Sequence, residues 1–468
     1  MAQLSDAEIH EALASRNLES VFEAAKLLGP EQVSALTADL RQLDWQELDR
    51  QRTALNPQAS TVALPAMDEV SAPNLAPPST SGEGANHQAL ALGEAALRAG
   101  RVAVVMVAGG QASRLGFDGP KGAFPIGALT GSSLFHGFAG QLQVLRNRYG
   151  AALPWVVQTG PGNHEETMAF FQRHAFFGLP EASVHFVCQG TLPALSPEGQ
   201  LLLSSPSKLF RNPDGHGGLY RALQHSGLLA QWEKQGIDTV YTCQVDNPLV
   251  RLADPIFLGH HLAANAEMSV KVVEKTDPSE KVGLVVRLAD GTHQCLEYSD
   301  LSTEIQEERA EDGGLLLRAG NIAIHAFSLP FLTQMAANPL PLHLARKEVL
   351  ALSSGEVVAA SRKGVKFETF IFDALPRAKT SVVQLVEREE EFAPVKNRSG
   401  VDSITSSRAA LIARDRRWCQ SAAMTLPEQG AVELFPGTAY EAADLALLRG
   451  NLARSCSNRV LHKQGHRE

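Results

Sequence analysis

The pattern of apolar and polar positions changes character along this 468-residue chain. Residues 1 to about 55 read as helices. Ser5-Asp6-Ala7-Glu8 offers a cap followed by an acidic first turn, and Leu36, Leu40 and Leu43 recur near helical spacing. Residues 56–86 lose that periodicity and are rich in Pro, Ser and Ala, which predicts an extended connector on the surface. HQALALGEAALRAGR (87–101) then predicts a helix ending at Gly100. From residue 102, short apolar runs bounded by turn residues alternate with helical patterns. VAVVMVA (102–108), LPWVVQT (153–159), SVHFVCQ (183–189) and TVYTCQV (239–245) predict strands. Residues 134–150, 164–178 and 219–236 predict the helices between them. Such alternation implies βαβ units and a mostly parallel sheet with helices on both faces. MSVKVVEK (268–275) and VGLVVRL (282–288) predict further strands, as an antiparallel addition. The acidic run Glu387–Glu391, interrupted by Arg388, reads as a solvated face. Beyond about 400, helix and strand signals mix and assign no element.

Composition removes several function classes. Hydrophobic residues make up 44% and charged residues 20%, ordinary for a globular protein. A net charge of -9 and a pI near 5.9 argue against a protein that coats nucleic acid, while leaving room for a local basic pocket. The five cysteines are scattered and form no CxxC pair, so neither a zinc site nor a disulfide framework is expected. MAQLSDAEIHEAL has no basic or apolar leader region, and no apolar run approaches the ~20 residues of a membrane span. A cytoplasmic protein without a membrane partner is the expectation.

Candidate chemistry begins where the first predicted strand ends. Gly109-Gly110-Gln111-Ala112-Ser113-Arg114-Leu115-Gly116 follows it, and Pro120-Lys121-Gly122 comes next. Glycines let backbone N–H groups approach a phosphate, Arg114 offers a bidentate fork, and Lys121 adds a mobile charge. The spacing fits neither the P-loop nor the dinucleotide fingerprint. Asp246 follows TVYTCQV at a predicted strand's carboxyl end, where a carboxylate can hold Mg2+ against phosphate oxygens. Asp-Asn-Pro at 246–248 also suits a plain turn, and Asn247 could orient its neighbour.

AGGQASRLG followed by PKG resembles the nucleotidyltransferase loop of the sugar-nucleotide pyrophosphorylases, usually GGxGTRLG…PKG. PDGHGGLYRAL (213–223), VDNPLVRLADP (245–255), KVVEKTDPSEKVGLV (271–285), AGNIAIHAF (319–327), GVKFETFIFDALPRAK (364–379) and EREEEFAPVKN (387–397) follow in the order of the UDP-N-acetylhexosamine pyrophosphorylases. The resemblance covers about 100–400. It implies a three-layer α/β nucleotide-diphospho-sugar transferase fold, Rossmann-like, with a mixed, mostly parallel sheet. The implied division is a helical region with its connector (1–95), a catalytic domain (96–400) and a small C-terminal region (401–468).

The implied reaction joins UTP and a hexose 1-phosphate into a UDP-sugar and pyrophosphate, with Mg2+. Resemblance then assigns roles. Arg114 serves the pyrophosphate side and Lys121 the α-phosphate, Lys396 is a distal phosphate lysine, and Lys379 is a weaker candidate of the same kind. Gly109, Gly110, Gln189 and Gly217 lie near uracil, and Gly283, Glu297 and Asn321 contact the sugar, with a helix cap as the lesser alternative for Asn321. Ala112 departs from the usual glycine and would be strained if that position demanded a positive φ. His216 departs as well. The N-acetylhexosamine enzymes carry Asn there, whereas glucose and broad-range enzymes carry His, and a histidine between glycines has little core to pack in. N-acetylglucosamine 1-phosphate is the expected acceptor, with glucose 1-phosphate or a broad sugar range as the alternative. A sensor that binds UDP-sugar without turnover is a reading of another class, and a monomer is among the open oligomeric states.

Overall fold

The computed structural model describes residues 4–56, 64–79, 83–352, 355–427, 430–448, 452–455 and 460–463. The chain divides into a smaller unit (Met1–Leu64, Gln189–Gly218, Pro339–Asp373) and a larger one (Pro65–Cys188, Leu219–Asn338, Ala374–Glu468). The boundaries expected near 95 and 400 both fall inside the larger unit. The division is discontinuous because two excursions of the chain, after Cys188 and after Asn338, supply strands to the smaller unit.

In the smaller unit the predicted helices form as Asp6–Ala14, Glu23–Leu28, Pro30–Leu40 and Trp45–Ala54. Ser5 and Glu8 make the reciprocal capping box that the sequence signals. Ile9, Leu13, Phe22, Leu36 and Leu48 pack with Leu195, Leu203, Val365 and Phe367. The last four belong to excursion segments that include the hairpin His343–Ala351/Ala360–Glu368. Sequence patterning did not predict these strands; the hairpin pairs locally, while its bridges from Val365 to Leu195 and from Leu352 to Leu203 join segments distant in sequence.

The larger unit holds a mixed sheet of eleven described strands. Val102–Val107, Trp155–Thr159, Val184–Cys188 and Thr239–Gln244 form where expected and run parallel. The near-continuous apolar runs of Val102–Val107, Trp155–Thr159 and Thr239–Gln244 reflect burial on both faces, whereas Val184–Cys188, at the edge of the sheet, is only partly buried. Leu134–Tyr149 covers one face within the main core, and Tyr220 of Leu219–His225 meets Phe327 on the other. Ala319–Ser328 was missed. It lies antiparallel between Thr239–Gln244 and Met268–Glu274, and its doubly buried pattern cannot be told from a helix by periodicity. Leu284–Leu288 is an antiparallel addition as predicted, whereas Met268–Glu274 also pairs in parallel with Ser381–Leu385.

The connector is more than a surface strap. Val70–Ser71 pairs with Leu284–Leu288, and Leu75–Ala76 with Ser381–Leu385; residues 57–63 and 80–82 lie outside the described residues. The unassigned tail contains the helix Ile404–Ser421, capped by Ser403, and a small sheet. Among the described residues no helix is long and apolar enough to cross a membrane.

Candidate active site

From Val102–Val107 the sheet extends on one side through Trp155–Thr159; Thr239–Gln244 returns on the other. Carboxyl ends diverge at such a switch point and leave a crevice for a ligand. The glycine loop leaves one of these two strands and Asp246 follows the other.

The loop is braced by backbone. Ala112 N donates to Gly119 O (3.0 Å), and Lys121 N donates to Gly110 O (3.1 Å). Gly122 permits close packing, since a Cβ there would lie 2.1 Å from Phe135 Cζ. Ala112 sits at φ −92° and is fully buried, so alanine carries no backbone strain at this position. Asn163 was not foreseen. Its buried amide donates to Ala108 O (2.9 Å) and Gly110 O (3.2 Å), and its carbonyl accepts from Gly160 N (2.8 Å). No family-like motif marks Asn163 in the sequence; the fold alone brings it under the loop.

Arg114 is exposed, and no described residue pairs with its guanidinium. Lys121 Nζ lies 3.5 Å from Asp246 Oδ2, with both side chains less than a fifth exposed. The chain following Glu391 passes beside Asp246 as a strap, with Val395 N donating to Asp246 O (2.8 Å). Lys396 is thereby brought to the same end of the sheet, its Nζ 3.3 Å from Asp402 Oδ2. Arg398 was also missed. It projects along the loop, and a Cβ on Gly116 would sit 3.7 Å from its Nη1. Asn247 is buried and holds the strap rather than open space: Nδ2 donates to Glu391 O (2.7 Å) and Oδ1 accepts from Ala393 N (3.0 Å).

Gly283, Glu297 and Asn321 form one cluster, though they are far apart in sequence. Asn321 N donates to Gly283 O (2.7 Å), and a Cβ on Gly283 would lie 3.4 Å from Glu297 Oε1. Asn321 lies in a strand, which removes the helix-cap alternative, and its Oδ1 accepts from Ala323 N at a bulge.

In the smaller unit, Gln189 is buried with Nε2 3.4 Å from Asp214 Oδ1. Gly217 N donates to Thr369 O (2.8 Å), and any Cβ there would meet the backbone at 2.7 Å. His216 does have packing partners, against expectation. Its ring stacks on Phe370 at 5.0 Å and its Nδ1 accepts from Ile371 N (3.0 Å). Burial, aided by the nearby His343, pushes its pKa down to about 4. His343 stacks on the same Phe370 and bonds Asp373 (2.8 Å).

Lys379 is a correction. It precedes Ser381–Leu385 by two residues, and its N donates to Glu267. That is the amino edge of the parallel strands, roughly 17 Å of strand away from the glycine loop. The acidic run is another correction: Glu391 is buried against Lys271 (2.6 Å), and Glu390 accepts from Arg417 and Trp418. Its pattern looked solvated because the partners come from distant sequence.

The family profile described as UTP–glucose-1-phosphate uridylyltransferase matches residues 66–436. The chain belongs to this family. Its relatives include UDP-N-acetylglucosamine diphosphorylase 2 of Arabidopsis thaliana, 35% identical over 97% of this chain and 93% of that protein. UDP-N-acetylglucosamine pyrophosphorylase of Saccharomyces cerevisiae is 35% identical over 77% and 78%. Among solved structures, the UDP-N-acetylglucosamine pyrophosphorylase from Trypanosoma brucei superposes with a TM-score of 0.80 at 25% identity, covering 96% of each chain.

Proposed function

We propose that this protein is a uridylyltransferase that makes a UDP-sugar and pyrophosphate from UTP and a hexose 1-phosphate, N-acetylglucosamine 1-phosphate above all. The observation that carries the reading is the crevice at the switch point, where a glycine loop, Lys121, Asp246 and the Lys396 strap come together at the carboxyl ends of two adjacent strands. The names of these relatives support the acceptor sugar.

A phosphate oxygen of the sugar phosphate attacks the α-phosphorus of UTP, and the bond to the pyrophosphate oxygen breaks in line with it. No side chain need form a covalent bond. The protein must offset repulsion between anions and hold them aligned. Lys121 neutralises charge at the α-phosphate, Arg114 takes the departing pyrophosphate, and Lys396 steadies the phosphates from the strap. Asp246 suits Mg2+: it is a carboxylate at the carboxyl end of Thr239–Gln244, beside Lys121. A lone carboxylate matches an ion that takes its other ligands from phosphates and water. Bound there, the ion would add charge stabilisation.

Glucose 1-phosphate is the second reading, favoured by His216 in place of asparagine. A panel of sugar 1-phosphates with UTP and Mg2+, read by pyrophosphate release, decides between the two. No release from any sugar refutes the enzyme, and UDP-sugar binding without release supports a sensor.

A further inference from the structure

Lys271 is fully buried in the strand Met268–Glu274, where its Nζ donates to Asp254 (2.7 Å) and to Glu391 (2.6 Å). None of the three has a part in the chemistry above. Asp254 is fully buried and caps the helix Pro255–Ala263; Glu391 is 2% exposed. Burial works to raise the Asp254 carboxyl, but Lys271 and Arg251 outweigh it and hold the group well below its usual range. The Glu391 carboxyl is pushed up by burial. A buried ion cluster is seldom kept for stability, because apolar residues of similar size do as well; fixing one geometry is its better-attested use.

What the cluster fixes is visible at Glu391. Its side chain is tied to Lys271, and its carbonyl accepts from Asn247, the neighbour of Asp246. Two residues on, Ala393 N returns to Asn247 Oδ1, and Val395 N donates to Asp246 O. Ser407 Oγ holds Pro394 O (3.0 Å). Lys396 comes next. The strap is therefore pinned by a charge at its start and by Asp246's own peptide near its end.

We propose that Lys271, Asp254 and Glu391 are positioning residues that anchor the strap 391–397, and so hold Lys396 in register with Asp246. The proposal rests on the uridylyltransferase reading. Its test compares the full-length wild type, Glu391→Gln, Lys396→Ala and the double variant, with UTP, Mg2+ and N-acetylglucosamine 1-phosphate.

Glu391→Gln should lower kcat about 10- to 100-fold with KM within about threefold, as expected for a misplaced group. In the Lys396→Ala background the same change should cost less than about twofold, because Glu391 acts through Lys396. Wild-type kcat in Glu391→Gln, no effect of Lys396→Ala, or losses that multiply in the double variant would each overturn the proposal. If Glu391→Gln does not fold, Lys271→Met/Glu391→Met keeps the packing without the ionic tie. Because Asp254 would then lose its Lys271 partner, Asp254→Asn is added to that variant so that no buried carboxylate is left unpaired. The triple variant should lose kcat to a similar extent, and full kcat there overturns the proposal. A wild type inactive on every sugar phosphate refutes the enzyme reading itself and takes this inference with it.

Discussion

The 109–122 loop of the larger unit and the Gly-His-Gly loop of the smaller one are both glycine-rich turns, and they treat their polar side chains in opposite ways. The first keeps its cations reachable. Arg114 is exposed and Lys121 meets a single carboxylate, while the loop backbone is held from beneath by Asn163. The second packs its polar ring away. His216 is wedged on Phe370, neutral, with its acceptor nitrogen satisfied by Ile371 N. A cation meant for a phosphate is costly to bury before its partner arrives, whereas a neutral ring can be fixed in place at little cost. The glycines also differ in purpose: Gly122 admits the Phe135 ring, and Gly217 admits the backbone at 369–370.

The contrast breaks most sharply at Lys121. Lys121→Ala should lower kcat/KM by about 10²- to 10³-fold, the scale seen when one charge-stabilising donor is removed, and should barely move the thermal midpoint. A melting shift without a rate loss would make the loop a structural turn.

His216→Asn should act the other way, on stability and sugar choice. The ring's folded pKa of about 4 lies below its unfolded value near 6.5, so the unfolded chain takes up a proton first. This residue's contribution is therefore intact above about pH 6.5 and is lost as pH falls towards 4. Urea unfolding at pH 7.5 and 5 should show a steeper loss in the wild type than in His216→Asn. The preference for N-acetylglucosamine over glucose phosphate should also rise, and an unchanged preference would separate position 216 from the sugar.

Arg398 sharpens the comparison from the loop side. Arg398→Ala should raise KM for UTP about 3- to 10-fold with kcat within about twofold, a small effect fitting an exposed charge. Lys379→Ala should do least, leaving both constants within about twofold, because that lysine stands at the wrong edge of the sheet. A larger loss there would restore it to the phosphate group.

Much of this was legible beforehand. Four parallel strands fell within two residues of their predicted ends, because buried parallel strands leave nearly unbroken apolar runs. The loop, Asp246 and the Lys396 segment sit at that sheet's carboxyl edge, as a loop following a strand must. Gly283, Glu297 and Asn321, far apart in sequence, lie in one cluster. Ala319–Ser328 was not legible, since its role as the antiparallel centre depends on pairing with strands distant in sequence.

The local pattern by itself determined helices, strands and the chemistry of one loop, because caps, periodicity and glycines act over a few residues. Tertiary structure alone decided which charges are solvated. Glu391 reads as one more carboxylate in an acidic run, and Lys379 as one more basic residue in a matched motif. Long-range pairing buries the first against Lys271 and places the second at the far edge of the sheet. The physical reason is that a charge's meaning depends on its distance to other charges and to water, and neither distance is written in the order of residues.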